Sequence, residues 1–210
     1  MIRKTFLAAI MVALPGLASA ATVTAINDYA TALGQVDPSD SLVLPGTWTA
    51  APLTISPDAS LSGQYRSPYE TASTAVPGIE AAAGYFSVGI GPTYSTSSNP
   101  AILALNSLSK SVSLLWGSPD SYNTLDLLNG GSVVATILGG QFNVPGLEAS
   151  FVTITADNAG EYFDGIRFTS TQNAFEFSNV TVAAVPLPAG GLLLLGGLGA
   201  LAGLRRKTKK

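Results

Sequence analysis

The chain of 210 residues has no cysteine and no histidine, and these two absences exclude much common enzyme chemistry. Without cysteine there is no disulfide bond, no thiolate metal site and no thiol nucleophile. Without histidine there is neither the base of a Ser-His-Asp triad nor an imidazole ligand for zinc. We therefore predict a non-enzymatic protein with no catalytic residues and no resident cofactor.

Positive charge is scarce in the central part of the chain. All 13 Asp and Glu lie between residues 28 and 176, where only Arg66, Lys110 and Arg167 oppose them, so this stretch has a net charge of −10. The other seven Lys and Arg lie at the two ends of the chain. Because an acidic body repels phosphate backbones, we expect no nucleic-acid partner.

Residues 1–20 have the three parts of a secretory signal peptide. Two basic residues at positions 3 and 4 precede an apolar stretch, residues 5–17, and Ala18 and Ala20 place small side chains where the peptidase requires them. We predict a signal helix that signal peptidase removes before Ala21, so that the remainder is exported. The alternative is a buried N-terminal helix of the folded protein.

The other end of the chain has an uncharged run, residues 189–204, followed by a basic end that includes Arg205, Arg206 and Lys207. At 1.5 Å per residue, a helix over this run is about 24 Å long, against a hydrocarbon core of about 30 Å. Long Arg and Lys side chains make up such a difference by reaching to the interface. Segments rich in Lys and Arg beside a transmembrane helix remain on the cytoplasmic side of the membrane. We predict a single transmembrane helix with the membrane as partner and the acidic body outside.

A short motif begins the tail, residues 185–210, and consists of Val185, Pro186, Leu187, Pro188, Ala189 and Gly190. Motif, apolar run and basic end together resemble the VPLPA variant of the PEP-CTERM sorting signal. Exosortases, multi-pass membrane transpeptidases of Gram-negative bacteria, recognise that signal. The resemblance implies an inner-membrane intermediate that is cut near Pro188 and Ala189 and delivered to the cell surface or extracellular matrix. The competing interpretation is an ordinary C-terminal membrane anchor.

The body of the chain, residues 21–184, contains short strand-like segments separated by turns. Apolar side chains alternate in residues 111–116, 151–155 and 165–168, which predicts strands with one buried face. Several short strands without a long helical stripe indicate an all-β fold. We predict one domain, an antiparallel β-sandwich with a jelly-roll-like arrangement.

Two local patterns predict where the strands turn and bend. Asn129 and Gly130 lie between two apolar segments and tolerate the positive φ angles of a hairpin turn. The segment after the turn, residues 132–138, is apolar on both faces, which predicts a central, covered strand. In the last strand, residues 174–182, the apolar positions change from odd to even numbers. That change requires an extra residue, and we predict a bulge at residues 178–179.

Four phrases in the body resemble one family of exosortase-dependent surface proteins. They are residues 65–70, 85–89, 116–125 and 174–180. The family pattern ends its last phrase in Phe-Asp-Asn, whereas this chain has Ser178 in place of that Asp. The resemblance carries over no enzymatic activity and implies a structural role at the cell surface.

One polar and aromatic stretch suggests a carbohydrate ligand. Trp116 and Tyr122 would stack on a sugar ring, while Asp120 and Asn123 would bond its hydroxyl groups. An extracellular polysaccharide is the ligand that these residue types favour. The alternative is structural, because Ser-Pro-Asp forms tight turns and Trp116 continues the inward face of a strand.

Three carboxylates, Asp157, Glu161 and Asp164, lie within eight residues of one another. Oxygen ligands at such density suit Ca²⁺, and a solvated connection made of Asx turns explains the same pattern. The least favoured alternative for the whole body is a surface glycan hydrolase, which needs a convergent pair of carboxylates. Sequence context selects no pair among Asp126, Glu148, Glu161 and Glu176.

Overall fold

A computed structural model describes residues 21–70, 82–94, 98–142, 149–158 and 161–185. Within these ranges the chain forms ten strands, all paired antiparallel, and one short α-helix, so the predicted all-β class is confirmed. The strands are β1 (Ala21–Ile26), β2 (Gly46–Ala50), β3 (Leu53–Ile55), β4 (Tyr85–Val88), β5 (Ala101–Gly117), β6 (Asn123–Asn129), β7 (Ser132–Leu138), β8 (Ser150–Ala156), β9 (Phe163–Ser170) and β10 (Phe175–Ala184).

The predicted signal peptide, residues 1–20, lies outside the described residues. So does the predicted sorting tail, apart from Val185 at its start. Among the helices that the structure does describe, none is long and apolar enough to cross a membrane.

The long strand β5 belongs to two groups of strands. Its first part, residues 101–105, pairs with β2 and β9, and β9 continues the group to β6 and β7. Its second part, residues 111–117, pairs with β8 and β10, which continue to β1, β4 and β3. One strand therefore joins both groups, and both contribute to the same core.

The main core contains side chains from both groups of strands. Its centre is a set of aromatic rings in which Phe168 stacks on Phe177 with ring centroids 4.0 Å apart, and Trp116 stacks on Phe175 at 4.3 Å. Stacked and edge-to-face aromatic pairs stabilise a core beyond the burial of their surface. The inward residues predicted from alternation are all buried here, namely Val112, Leu114, Trp116, Val152, Ile154, Ile166 and Phe168.

A second, smaller core covers the opposite face of β10 and β4. Tyr69 and Tyr85 pack there with Leu115 and with helix α1 (Tyr29–Leu33). The Asp28 carboxylate accepts the Thr31 N–H at 2.9 Å and so caps the start of that helix. As a result, both faces of the first part of β10 are buried.

The predicted hairpin connects β6 to β7, but its turn lies one residue further along the chain. Asn129 pairs with Ser132, so Gly130 and Gly131 occupy the turn centres, with φ angles of 57° and 80°. The prediction that residues 132–138 form a central strand is wrong. β7 ends the pairing order of the described strands, and most of its side chains are exposed or half-buried.

The predicted bulge in β10 is confirmed. The pairing register with β5 shifts between Ser178 and Thr181, and Asn179 has a φ of 52°. The extra residue lets Phe177 and Val180 face the same core although one is odd-numbered and the other even. Asn179 also donates its side-chain amide to the Asp37 carbonyl at 2.6 Å, so the bulge anchors the segment after helix α1.

Candidate functional site

A cleft with a volume of about 510 Å³ lies against the start of β10. Residues from three stretches line it: residues 60–66 with Glu70; Ser118, Asp120 and Tyr122; and Asn173, Ala174 and Glu176. We call it the Glu176 cleft, after the most buried charged residue in its wall. Three of the four phrases that carry the surface-protein resemblance contribute residues to its walls. The fourth phrase supplies β4, in which Ser87 pairs directly with Glu176.

A tight turn forms one side of the cleft. Leu61 and Tyr65 form an isolated antiparallel bridge, and Gly63 between them has a φ of 72°, which favours glycine. The Asn173 side-chain amide donates to the Gly63 carbonyl at 3.4 Å, while its oxygen accepts the Ile90 N–H at 2.9 Å. Asn173 therefore holds this turn against the segment that leads into β10.

Glu176 lies at the bottom of the cleft with 3% of its surface exposed. Its Oε1 accepts the backbone N–H of Arg66 at 2.8 Å. Its Oε2 is buried and has no hydrogen-bond partner among the described residues. Burial raises the pKa of Glu176 to about 8; the Arg66 N–H partly opposes this rise, and Asp120 adds to it. The side chain is thus a neutral carboxylic acid at pH 7.

Tyrosine hydroxyl groups surround Glu176 and form fixed hydrogen bonds. The Tyr94 hydroxyl contacts the Ser87 hydroxyl at 2.8 Å and the Gln64 carbonyl at 2.9 Å. Tyr85 donates to the Ala59 carbonyl at 2.6 Å. Burial raises the pKa of Tyr94 to about 12 and that of Tyr85 further, so both rings remain neutral. These two tyrosines therefore place uncharged hydroxyl groups near Glu176, while Arg66, Glu70 and Asp120 carry the charge of the cleft wall.

Two of the residues predicted to bind carbohydrate, Asp120 and Tyr122, line the Glu176 cleft. The Tyr122 hydroxyl donates to Asp120 Oδ2 at 2.7 Å. Burial raises the pKa of Tyr122, and the hydrogen bond to Asp120 raises it further. The pair fixes one acceptor and one aromatic ring at the edge of the cleft, which is a usual arrangement in a polar binding site.

Comparison with family models, with curated proteins and with solved structures finds no match to this chain.

The other two residues predicted to contact carbohydrate are structural, and the prediction is corrected for them. Trp116 is fully buried in the main core, so neither face of its ring is open to a ligand. Asn123 is also fully buried, and its side-chain amide donates to the Ala174 carbonyl at 3.1 Å. Its oxygen accepts the Ser170 hydroxyl at 2.7 Å. Asn123 therefore fixes the segment before β10 and supports the cleft from behind.

The three carboxylates considered for Ca²⁺ each have a separate partner. The donors are Thr22 for Asp157, Asn158 for Glu161, and the Gly130 N–H for Asp164. Over the ranges that the structure describes, no group of three His, Cys, Asp or Glu side chains converges on a point. A Ca²⁺ site at these residues stays a prediction.

The three described acids among those considered for a hydrolase do not meet in the cleft. Asp126 is held by Arg167, with 2.7 Å between Oδ2 and Nη2, and Glu161 bonds its neighbour Asn158. Glu148 lies outside the described residues. Of the three described acids, Glu176 alone lines the cleft.

Sequence reasoning missed the role of Glu176, together with Gln64, Arg66 and Asn173. Glu176 alternates with Phe175 and Phe177, which is the pattern of a solvent-facing residue on a half-buried strand. The four phrases that resemble the surface-protein family were the signal that could have identified Glu176, because residues from these phrases lie around its side chain.

Proposed function

We propose that this chain is an exported, non-enzymatic surface protein that an exosortase sorts through its C-terminal tail. Signal peptidase and the exosortase act in turn, and an inner-membrane intermediate precedes delivery to the surface or extracellular matrix of a Gram-negative bacterium. One observation carries this proposal. In residues 185–210 the motif is followed by the apolar run and then by the basic end. This tail follows a body that begins after the predicted signal peptide.

The end of the last strand supports the proposal. β10 ends at Ala184, before the sorting motif, so cleavage near Pro188 and Ala189 would leave this strand intact. Because two groups of strands share one core, we also infer that the body is a β-sandwich of the jelly-roll type.

Mass spectrometry of protein released from the cell surface tests the sorting. We expect a mature chain that begins at Ala21 and lacks Arg205 and the residues after it. A strain without its exosortase, and a variant with Pro186→Ala and Pro188→Ala, should retain the tail in the membrane fraction. Surface protein with an intact Lys210 would refute the proposal.

Carbohydrate binding by the body is a second candidate function, which the Glu176 cleft supports. The cleft combines aromatic rings, hydroxyl groups and acceptors, as sites for polyhydroxylated ligands do. Binding of the mature protein to its own matrix polysaccharide in affinity electrophoresis tests this candidate. Unchanged mobility in every polysaccharide fraction of the producing cell would refute it.

A further inference from the structure

Two oxygen atoms in the wall of the Glu176 cleft are buried and unpaired. They are Oε2 of Glu176 and Oε1 of Gln64, and neither has a hydrogen-bond partner in the part of the chain that the structure describes. Both residues line the same cleft. Buried polar atoms in proteins are nearly always hydrogen-bonded. The two atoms therefore indicate a ligand with at least one acceptor and one donor.

We propose that the Glu176 cleft binds uncharged sugar residues of a neutral glycan, and that Glu176 donates a hydrogen bond from Oε2 to a sugar oxygen. This inference rests on the second candidate function, carbohydrate binding, and specifies its ligand. Gln64 Oε1 accepts from a second hydroxyl. The Tyr122 ring and the Asp120 carboxylate form the edge at which the sugar enters.

The position of the proton on Glu176 follows from its hydrogen bonds. Oε1 already accepts the Arg66 N–H, so the proton of the neutral acid belongs on the unpaired Oε2. Burial raises the pKa of this carboxyl to about 8. The titratable and charged groups that face it are Tyr65, Arg66 and Glu70 from the segment before β4, Tyr85 from β4, Tyr94 after β4, and Asp120 and Tyr122 after β5.

The charges around the cleft decide which ligands fit. Glu70 and Asp120 outnumber Arg66 among the other charged side chains that line it, and the stretch from residue 28 to 176 has a formal net charge of −10, so an anionic polysaccharide is repelled. A divalent cation prefers several ionised carboxylates, whereas Glu176 is a neutral acid at pH 7. A neutral sugar has hydroxyl groups that both donate and accept, and it carries no charge to desolvate.

The experiment measures binding of neutral oligosaccharides to the purified full-length chain. The chain is held in a detergent without a sugar headgroup and applied at pH 6 to an array of glucose, galactose, mannose and xylose oligosaccharides. The best ligand is then titrated by calorimetry at pH 6, 7, 8 and 9. With a pKa of about 8, roughly a tenth of Glu176 is protonated at pH 9, so we expect about tenfold weaker binding there.

Two variants separate this explanation from general effects of pH. In Glu176→Gln the amide N–H₂ donates at every pH, so binding should persist and lose its pH dependence. Asp40→Asn changes an exposed acid that does not line the cleft, so it should keep both the wild-type affinity and the wild-type pH dependence.

Three results would overturn the inference: affinity that is equal at pH 6 and pH 9, binding that Glu176→Gln abolishes in a chain with native circular dichroism, or no binding of any neutral oligosaccharide at pH 6. The first two leave carbohydrate binding in place and refute hydrogen-bond donation by Glu176. The third removes the neutral glycan itself. None bears on sorting, which mass spectrometry of the tail tests separately.

Discussion

Replacing Glu176 with glutamine should remove a large part of the pH dependence of the protein's stability. The ordinary pKa of this group is 4.5, and burial raises it to about 8 in the folded chain. Below pH 4.5 the carboxyl is protonated in both the folded and the unfolded state. Between pH 4.5 and 8 the unfolded chain has released a proton that the folded chain retains, so stability falls as pH rises.

The size of this effect follows from the difference between the two pKa values. Each unit corresponds to about 1.4 kcal/mol, and the window from pH 5 to pH 9 covers most of the difference. The wild-type chain should therefore lose about 4 kcal/mol of unfolding free energy across that window, relative to Glu176→Gln. Domains of ordinary stability have about 5–15 kcal/mol in total, so a loss of this size is easily measured.

Urea denaturation at each pH, followed by circular dichroism, measures the two stability profiles. Protonated Glu and Gln have nearly the same shape, so the profiles should meet near pH 5 and separate above it. Asp40→Asn serves as the control and should follow the wild type. Parallel profiles for wild type and Glu176→Gln from pH 5 to pH 9 would show that Glu176 is not held neutral. That result would also refute hydrogen-bond donation by its Oε2.

Three further predictions test the hairpin, the core and the cation hypothesis. Gly130→Val places a β-branched residue at a φ of 57° and should cost about 1–2 kcal/mol, so an unchanged melting temperature would refute the turn. Phe168→Ala removes the ring stacked on Phe177 and should cost about 3–5 kcal/mol in urea denaturation; a loss below about 1 kcal/mol would contradict the core packing. Calcium should change the melting temperature no more than NaCl of equal ionic strength, because the carboxylates have separate partners. A calcium-specific rise of about 5–10 °C that Asp157→Asn and Asp164→Asn abolish would instead establish a site.

Some features could be predicted from the sequence because they depend only on nearby residues. The predicted signal peptide and the predicted sorting tail are linear patterns that other proteins would recognise, so predicting them requires no knowledge of the fold of the body. The hairpin follows from turn residues between two strands, and the bulge follows from the change of phase between Phe177 and Val180. Alternation likewise identified the inward faces of β5, β8 and β9.

The exposure of β7 could not be predicted in this way. Its residues are apolar on both faces, which is typical of a covered strand, yet the described pairing ends with it. Which strand lies at an edge depends on the order in which distant segments pair. That order is set by the total burial of the fold and not by any one segment.

The cleft, too, was decided by the tertiary structure. Its walls come from three stretches that are 48 or more residues apart, and they meet because the loop before β4 folds over the outer face of β10. That loop covers Glu176, so a residue with the sequence pattern of the surface is a buried acid with a raised pKa. Of the two aromatic residues predicted to contact sugar, Trp116 lies in the core and Tyr122 lies at the edge of the cleft. The sequence by itself determined the strand faces and the local turns, and the sorting of the chain stays a prediction from its linear patterns. Desolvation of a side chain depends on everything packed around it, so only the folded chain decided which residues form the cleft and which of them has a raised pKa.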